Sequence, residues 1–139
     1  MANTIHLDIV SAEGQIFSGD ANMVFVPAAE GEIGIAPRHA PLLTTLKAGE
    51  VRVQIDQQEE QSFYVGGGAL EIQPHLVTVL ADTAARAADL DEAAAESAKL
   101  RAQEAMAEKT NAIDLAEAQA ELARAIAQLR AIERLRKKR

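Results

Sequence analysis

All eight glycines and all four prolines of this 139-residue chain lie before Asp82, and residues 83–139 contain neither. Nothing in that second stretch breaks a helix, and its many alanines favour one. The first stretch has the opposite character. From Thr4 to about Ala81 apolar residues recur at every second position, as in Ile5, Leu7 and Ile9 against His6 and Asp8, which is the period of a half-buried strand. Similar runs follow at residues 16–17, 23–26, 42–46, 51–55, 62–65, 69–73 and 76–80, with Gly, Pro, Asp or polar clusters between them. "QIDQQEEQSFYV" reads as a hairpin with its polar tip at residues 57–60, and "EIQPHLVTVL" as another turning at Pro74 and His75. Regularly spaced strands and turns predict a sandwich or barrel. The expected class is therefore α+β, an N-terminal β-sandwich or barrel followed by an antiparallel two-helix hairpin.

One weak point interrupts the helical half. In "EKTNAIDLAE", Asn111 is read as ending a first helix and Asp114 as capping a second, with Glu117 three residues on completing a capping-box-like pattern. The helices are expected at about 90–109 and 115–135, each roughly 30 Å long at ~1.5 Å per residue. Leu115, Leu122, Ile126, Leu129 and Ile132 form a stripe along the second, whereas the first offers only Leu90, Leu100 and Met106 beside alanine. An alanine seam buries little area at ~25 cal/mol per Å², so the hairpin is expected to be weakly held and able to leave the sandwich.

Several classes of function find no support. A chain of this length with 48% hydrophobic residues supports one modest core and an appendage. The absence of cysteine excludes disulfides, thiolate zinc sites and cysteine nucleophiles, and suits a reducing compartment. "MANTIHLDIV" has no positive charge ahead of its short apolar alternation, so it does not read as a secretory signal, and no apolar run approaches the ~18 residues of a spanning helix. His6, His39 and His75 fall in separate strands or loops without paired spacing, so no metal site is expected. "GGGAL" at residues 66–70 lacks the Lys-Ser/Thr of a phosphate loop and leads into a strand; close backbone packing at a sandwich corner, or against a partner, explains it better. No nucleophile has a neighbouring base in the sequence, and catalysis is not expected.

Charge divides the chain. The last eighteen residues, "LARAIAQLRAIERLRKKR", hold seven of the 14 basic side chains and only one of the 21 acidic ones, Glu133. Cationic side chains near a helix C-terminus complement its dipole, which accounts for the last turn but not for Arg124, two to three turns further in. A cationic stretch of that length suggests an acidic partner. Nucleic acid is the rival, but no aromatic platform or binding motif accompanies the charge, and the remaining acidic surface opposes its approach.

"EGEIGIAPRHAPLLTTLKAGEVRV" (30–53) resembles the signature region of the epsilon subunits of bacterial F-type ATP synthases, "FYVGGGALEIQPHLVTVLADTA" (63–84) a second shared block, and "AELARAIAQLRAIE" (120–133) their second C-terminal helix. With "HLDIVSAEGQIFSG" near the start, the resemblance covers essentially the whole chain. It implies a ten-stranded sandwich at residues 1–86 that docks at the foot of the rotor, against the gamma subunit and the ring of c subunits. It also implies a regulatory helical hairpin at residues 87–139, which folds down on the sandwich or extends beside gamma toward the alpha and beta subunits and inhibits ATP hydrolysis. Such a subunit is non-catalytic, needs no cofactor, couples ion flow to ATP synthesis, and sits on the cytoplasmic face of the inner membrane only through its complex. A different class, a free-standing adaptor whose sandwich binds a ligand and whose hairpin binds an acidic protein, is the alternative.

The resemblance also assigns residues. Residues 31–41 have the composition of an ordered surface loop; by resemblance it faces the c ring, with Glu30, Glu32 and His39 at matching positions and Arg38 where glycine is frequent. "LDEAAA" at residues 90–95 keeps Leu90, Asp91 and Ala95 of an ATP-binding pattern found in some relatives, but Ala94 stands where that pattern has arginine. Without the guanidinium no nucleotide binding is expected, and an aspartate at a helix start is also a plain partner for the positive dipole end. Arg124, Arg130 and Arg134 are the expected contacts to an acidic segment of the beta subunits when the hairpin extends, while residues 136–139 are expected to be dipole complement and solvated charge.

Overall fold

Ile5, Leu7 and Ile9 are exposed by 1% or less, while His6 and Asp8 between them are not buried, so the alternation in the sequence is the alternation of faces in the first strand. The computed structural model describes residues 3–108 and 111–137. In chain order it contains β1 (Ile5–Ser11), β2 (Gly14–Ala21), β3 (Met23–Ala28), β4 (Gly31–Ile35), β5 (Leu42–Gln54), β6 (Gln61–Gln73), β7 (Leu76–Ala81) and β8 (Ala84–Arg86). A 3₁₀ turn at Ala87–Asp89 leads to α1 (Glu92–Glu108) and α2 (Ala112–Lys137). The chain divides into two compact units, Met1–Arg86 and Ala87–Arg139.

In the first unit the strand order is β2-β1-β7-β6-β5-β3-β4, with β8 added on β6. Neighbours pair antiparallel except β1 and β7, which run parallel. The sheet folds over on itself. Phe17 of β2 and Phe63 of β6, with two strands between them in the pairing order, meet with ring centroids 5.3 Å apart, and residues from β1, β3, β5, β6 and β7 share one apolar core.

The fold is made within β5 and β6 themselves, each thirteen residues long. β6 contributes Phe63 and Val65 before the glycines and Leu70 and Ile72 after them to the shared apolar core, while Tyr64 is buried outside that cluster. Inward-facing parity thus changes from odd to even across Gly66–Gly68, as it must where a strand passes from one layer to the other. β5, antiparallel to β6, changes parity in the opposite sense, from even at Leu46 to odd at Val51 and Val53, and the pairing of β3 with β5 slips there, between Phe25 and Ala28. Gly67 and Gly68 have φ of +113° and +134°, and a Cβ on Gly68 would lie 2.0 Å from the Leu80 carbonyl oxygen. The triple glycine is a sandwich corner.

These long strands explain the count. Among the described residues there are eight strands and not ten, because the runs at 42–46 and 51–55 are one strand, as are those at 62–65 and 69–73. Part of the stretch read as a surface loop, Gly31–Ile35, is strand β4, paired residue for residue with β3. Ala84–Arg86, within the alanine-rich stretch, extends and pairs with Phe63–Val65; ladder hydrogen bonds override the helical preference of alanine here.

In the second unit, Asp91 and Asn111 cap the helices. Asp91 Oδ1 accepts the Ala94 N–H at 3.2 Å, and Asn111 Oδ1 accepts the Ile113 N–H at 2.8 Å. Asn111 therefore begins α2 and Asp114 lies within its first turn, a correction to the expected cap: an amide oxygen already satisfies an N–H there, so the aspartate is left to complement the dipole. The expected end of the first helix at Lys109 lies outside the described residues. The buried residues of α1 are Ala95 and Ala102, and those of α2 are Ala118, Ala125, Ala127 and Ala131. Leu115, Leu122, Ile126, Leu129 and Ile132 are only half-buried, and Leu100 is exposed. Arg136 pairs with Glu92, joining the end of α2 to the start of α1.

Candidate functional site

The residues expected at the c ring fall in two places. Glu30 stands exposed in the turn between β3 and β4, a hairpin also held by the Ala29 N–H donating to the Thr45 carbonyl at 2.9 Å. Glu32, on the outer face of β4, accepts from Arg52 Nη2 at 2.9 Å. Arg38 and His39 follow at the other end of β4, roughly 16 Å of strand away at ~3.3 Å per residue. Arg38 has φ +66°, the left-handed region that glycine occupies without strain, and its N–H donates to the Pro74 carbonyl at 2.8 Å. This fastens the loop to the β6–β7 turn. His39 Nδ1 lies 2.7 Å from the Ala40 carbonyl oxygen, so that nitrogen carries the proton and donates.

Two features here were not singled out in the sequence. Arg52, with 14% of its side chain exposed, binds Glu32 and Glu60 (3.5 Å) and lies 4.2 Å over the Phe25 ring. It joins the β3–β4 hairpin to β5 and to the β5–β6 turn. An arginine alternating with inward valines in "VRVQ" was the available signal. The second feature is apolar. Leu42 and Leu43 are exposed, Leu43 by 73%, and with Pro41, Glu71, Ile72 and Gln73 they line an open concavity of about 290 Å³. Consecutive leucines in a period-two stretch cannot both face inward, which is how they could have been found.

At the start of α1, the Asp91 carboxylate caps the helix and its carbonyl accepts the Ala95 N–H at 3.0 Å. Ala95 is buried in the seam. Leu90 lines a cleft of about 180 Å³ with Ala87, Ala88, Ile132, Leu135 and Arg136. The cation on that cleft is Arg136, which faces Glu92, and Ala94 adds none. The residues of the nucleotide-like pattern thus have structural work: a cap, a seam contact and a cleft wall. Among the described residues no cluster of His, Cys, Asp or Glu fits a metal ion.

On α2, Arg130 and Arg134 are one turn apart and share a face. Arg124, six residues before Arg130, projects about 120° round the helix at 3.6 residues per turn. Arg136, expected as solvated charge, instead bridges to Glu92, and Lys137 pairs with Glu133 at 3.4 Å. Lys138 and Arg139 lie outside the described residues. No helix among the described residues is long and apolar enough to cross a membrane.

A β-sandwich with exposed charged and apolar residues, followed by a capped helical hairpin, is the architecture of a known family of ATP synthase subunits. Residues 4–87 match the family model "ATP synthase, Delta/Epsilon chain, beta-sandwich domain" and residues 88–133 match "ATP synthase, Delta/Epsilon chain, long alpha-helix domain". The chain belongs to the ATP synthase epsilon chain family and is not itself an enzyme. It is 64% identical over 138 residues to the ATP synthase epsilon chain of Nitrosococcus oceani, covering 99% of each chain. It is 62% identical to that of Alkalilimnicola ehrlichii, covering 98% of this chain and 97% of the relative. The fold recurs in a chain of the Euglena gracilis mitochondrial ATP synthase, with TM-score 0.82 at 15% identity over 95% of this chain and 83% of that one. It also recurs, with TM-score 0.61 at 10% identity, in a Tetrahymena thermophila mitochondrial ATP synthase central stalk and c-ring structure, over 92% of this chain and 96% of that one.

Proposed function

We propose that this chain is a central-stalk subunit of a bacterial ATP synthase, with the sandwich docking on the gamma subunit and the c ring and the hairpin inhibiting ATP hydrolysis by reaching the alpha and beta subunits. The observation that carries the division of labour is the contrast in packing. The core of Ile, Val, Leu and Phe is complete within residues 5–84, whereas every fully buried residue of α1 and α2 is alanine. A self-sufficient anchor joined to a weakly seamed pair of helices is what a two-state regulatory element requires. Glu30 and Glu32 at one end of β4, and Arg38 and His39 with exposed Leu42 and Leu43 beyond its other end, are the docking residues toward the ring. Arg130 and Arg134, with Arg124 on the adjoining flank, are the contacts to acidic beta-subunit side chains. Membrane contact is through the complex, on the cytoplasmic side of the inner membrane. No nucleotide is needed.

The test is ATP hydrolysis by reconstituted complexes. A chain ending at Arg86 should still assemble and support coupled synthesis while hydrolysis rises. Replacing Arg124, Arg130 and Arg134 together by alanine should relieve inhibition several-fold at low salt and less at high salt, since exposed pairs are worth only ~0–1 kcal/mol each and act jointly. Failure of the truncated chain to assemble, or equal and salt-independent inhibition in the triple variant, contradicts the reading.

A further inference from the structure

We propose that the β1–β2 edge hairpin carries a proton-operated clasp, in which the imidazolium form of His6 ties β2 to β1 through Asp20 and Asp8, and loss of that proton as pH rises loosens this edge of the sheet. The geometry sets a carboxylate oxygen against each ring nitrogen. His6 Nδ1 lies 2.9 Å from Asp20 Oδ1, and His6 Nε2 lies 3.1 Å from Asp8 Oδ1. A neutral imidazole has a single N–H, so it satisfies one carboxylate and turns a lone pair toward the other; the imidazolium satisfies both. Ser18 completes the arrangement, its Oγ donating to Asp8 Oδ1 at 2.7 Å and lying 3.2 Å from His6 Nε2. His6 stands directly opposite Asp20 in the register, and Asp8 opposite Ser18. The four side chains form a square across the last two strands on that side of the sheet.

The surroundings leave these carboxylates as the ionisable neighbours. Asp8 lies on β1 itself and Asp20 on β2. On the other flank, β7 sets Leu76 opposite His6 and Thr78 opposite Asp8. His75, in the turn before β7, takes the His6 N–H on its carbonyl at 3.2 Å, and Glu71 of β6 lies beyond, paired with Thr78. The Asp20 hydrogen bond raises the His6 pKa above 6.5; desolvation opposes this, and Asp8 adds to it. A raised histidine pKa contributes stability that is fully present below pH 6.5 and is lost as pH rises through the folded value. With 40% of the His6 side chain exposed, the effect is local to the hairpin.

The experiment is NMR on the full chain. The His6 ring resonances should titrate with a midpoint above 6.5, and Asp20→Asn should move that midpoint down. Amide-exchange protection of β2, corrected for the intrinsic pH dependence of exchange, should fall roughly two- to fivefold as pH rises through the His6 midpoint, the size of an exposed charged pair. In His6→Gln, which keeps a hydrogen-bonding side chain without a titrating charge, β2 protection should be independent of pH over the same range. A His6 midpoint at or below 6.5, or an unchanged pH profile of β2 protection in His6→Gln, overturns the proposal.

Discussion

The sandwich core and the helical seam use apolar residues in different sizes, and that difference sets what each region can do. Phe63, Leu70, Ile72 and four fully buried valines of β3 and β5 fill the first, and each large side chain removes enough apolar surface from water to contribute about 1.5–3 kcal/mol. The seam buries Ala95, Ala102, Ala118, Ala125 and Ala131 almost completely. Alanine lets two helices approach closely and costs no side-chain entropy, but one methyl group contributes little on burial. The hairpin thus gains helix propensity and loses adhesion. High propensity with low adhesion makes helices that persist while their packing is exchangeable.

The comparison breaks most visibly at Phe63. Phe63→Ala should cost about 3–5 kcal/mol of sandwich stability, read as a large drop in the urea midpoint of the strand amides, with α1 and α2 retaining their helical signal. Next in size is Ala102→Leu, which overpacks a seam position with 0% exposure. It should cost about 1–3 kcal/mol and lower amide protection in the helices while leaving β1–β7 unchanged. If both variants lower the two regions equally, sandwich and hairpin unfold as one cooperative unit and their difference in packing has no energetic meaning. The smallest change is Asn111→Ala. It removes the cap of α2 and should cost ~1 kcal/mol, seen as faster exchange at Ile113, whose N–H the Asn111 side chain holds.

Much of this contrast is legible in the chain itself. Ile5, Leu7 and Ile9 announce their burial by period, Pro74 and His75 mark a turn that the structure contains between β6 and β7, and the loss of Gly and Pro after Asp82 marks the helical half. What was not legible involves contacts distant in sequence. The continuity of β5 and β6 through the corner depends on pairing between them, so each reads locally as two short strands. β8 extends only because Phe63–Val65 offers it a ladder, and the parallel pairing of β1 with β7 joins segments some seventy residues apart. Among the candidate site residues, type and surface position were readable, but partners were not. Glu32 is an exposed acid in the sequence and half of an ion pair with Arg52 in the fold; Arg136 is a tail charge in the sequence and a bridge to Glu92 in the fold.

The corner at Gly66–Gly68 has a mechanical consequence. In a sandwich whose layers touch only through side chains, a sideways load is carried by an apolar interface that slips readily. Here two chains of peptide bonds cross from layer to layer, side by side, and hold each other through eleven paired positions from Leu42↔Ile72 to Val53↔Gln61. The unit is a creased plate. Sliding one leaf over the other would require stretching covalent backbone or stripping that ladder, so a twist applied to one leaf is delivered to the other with little lag.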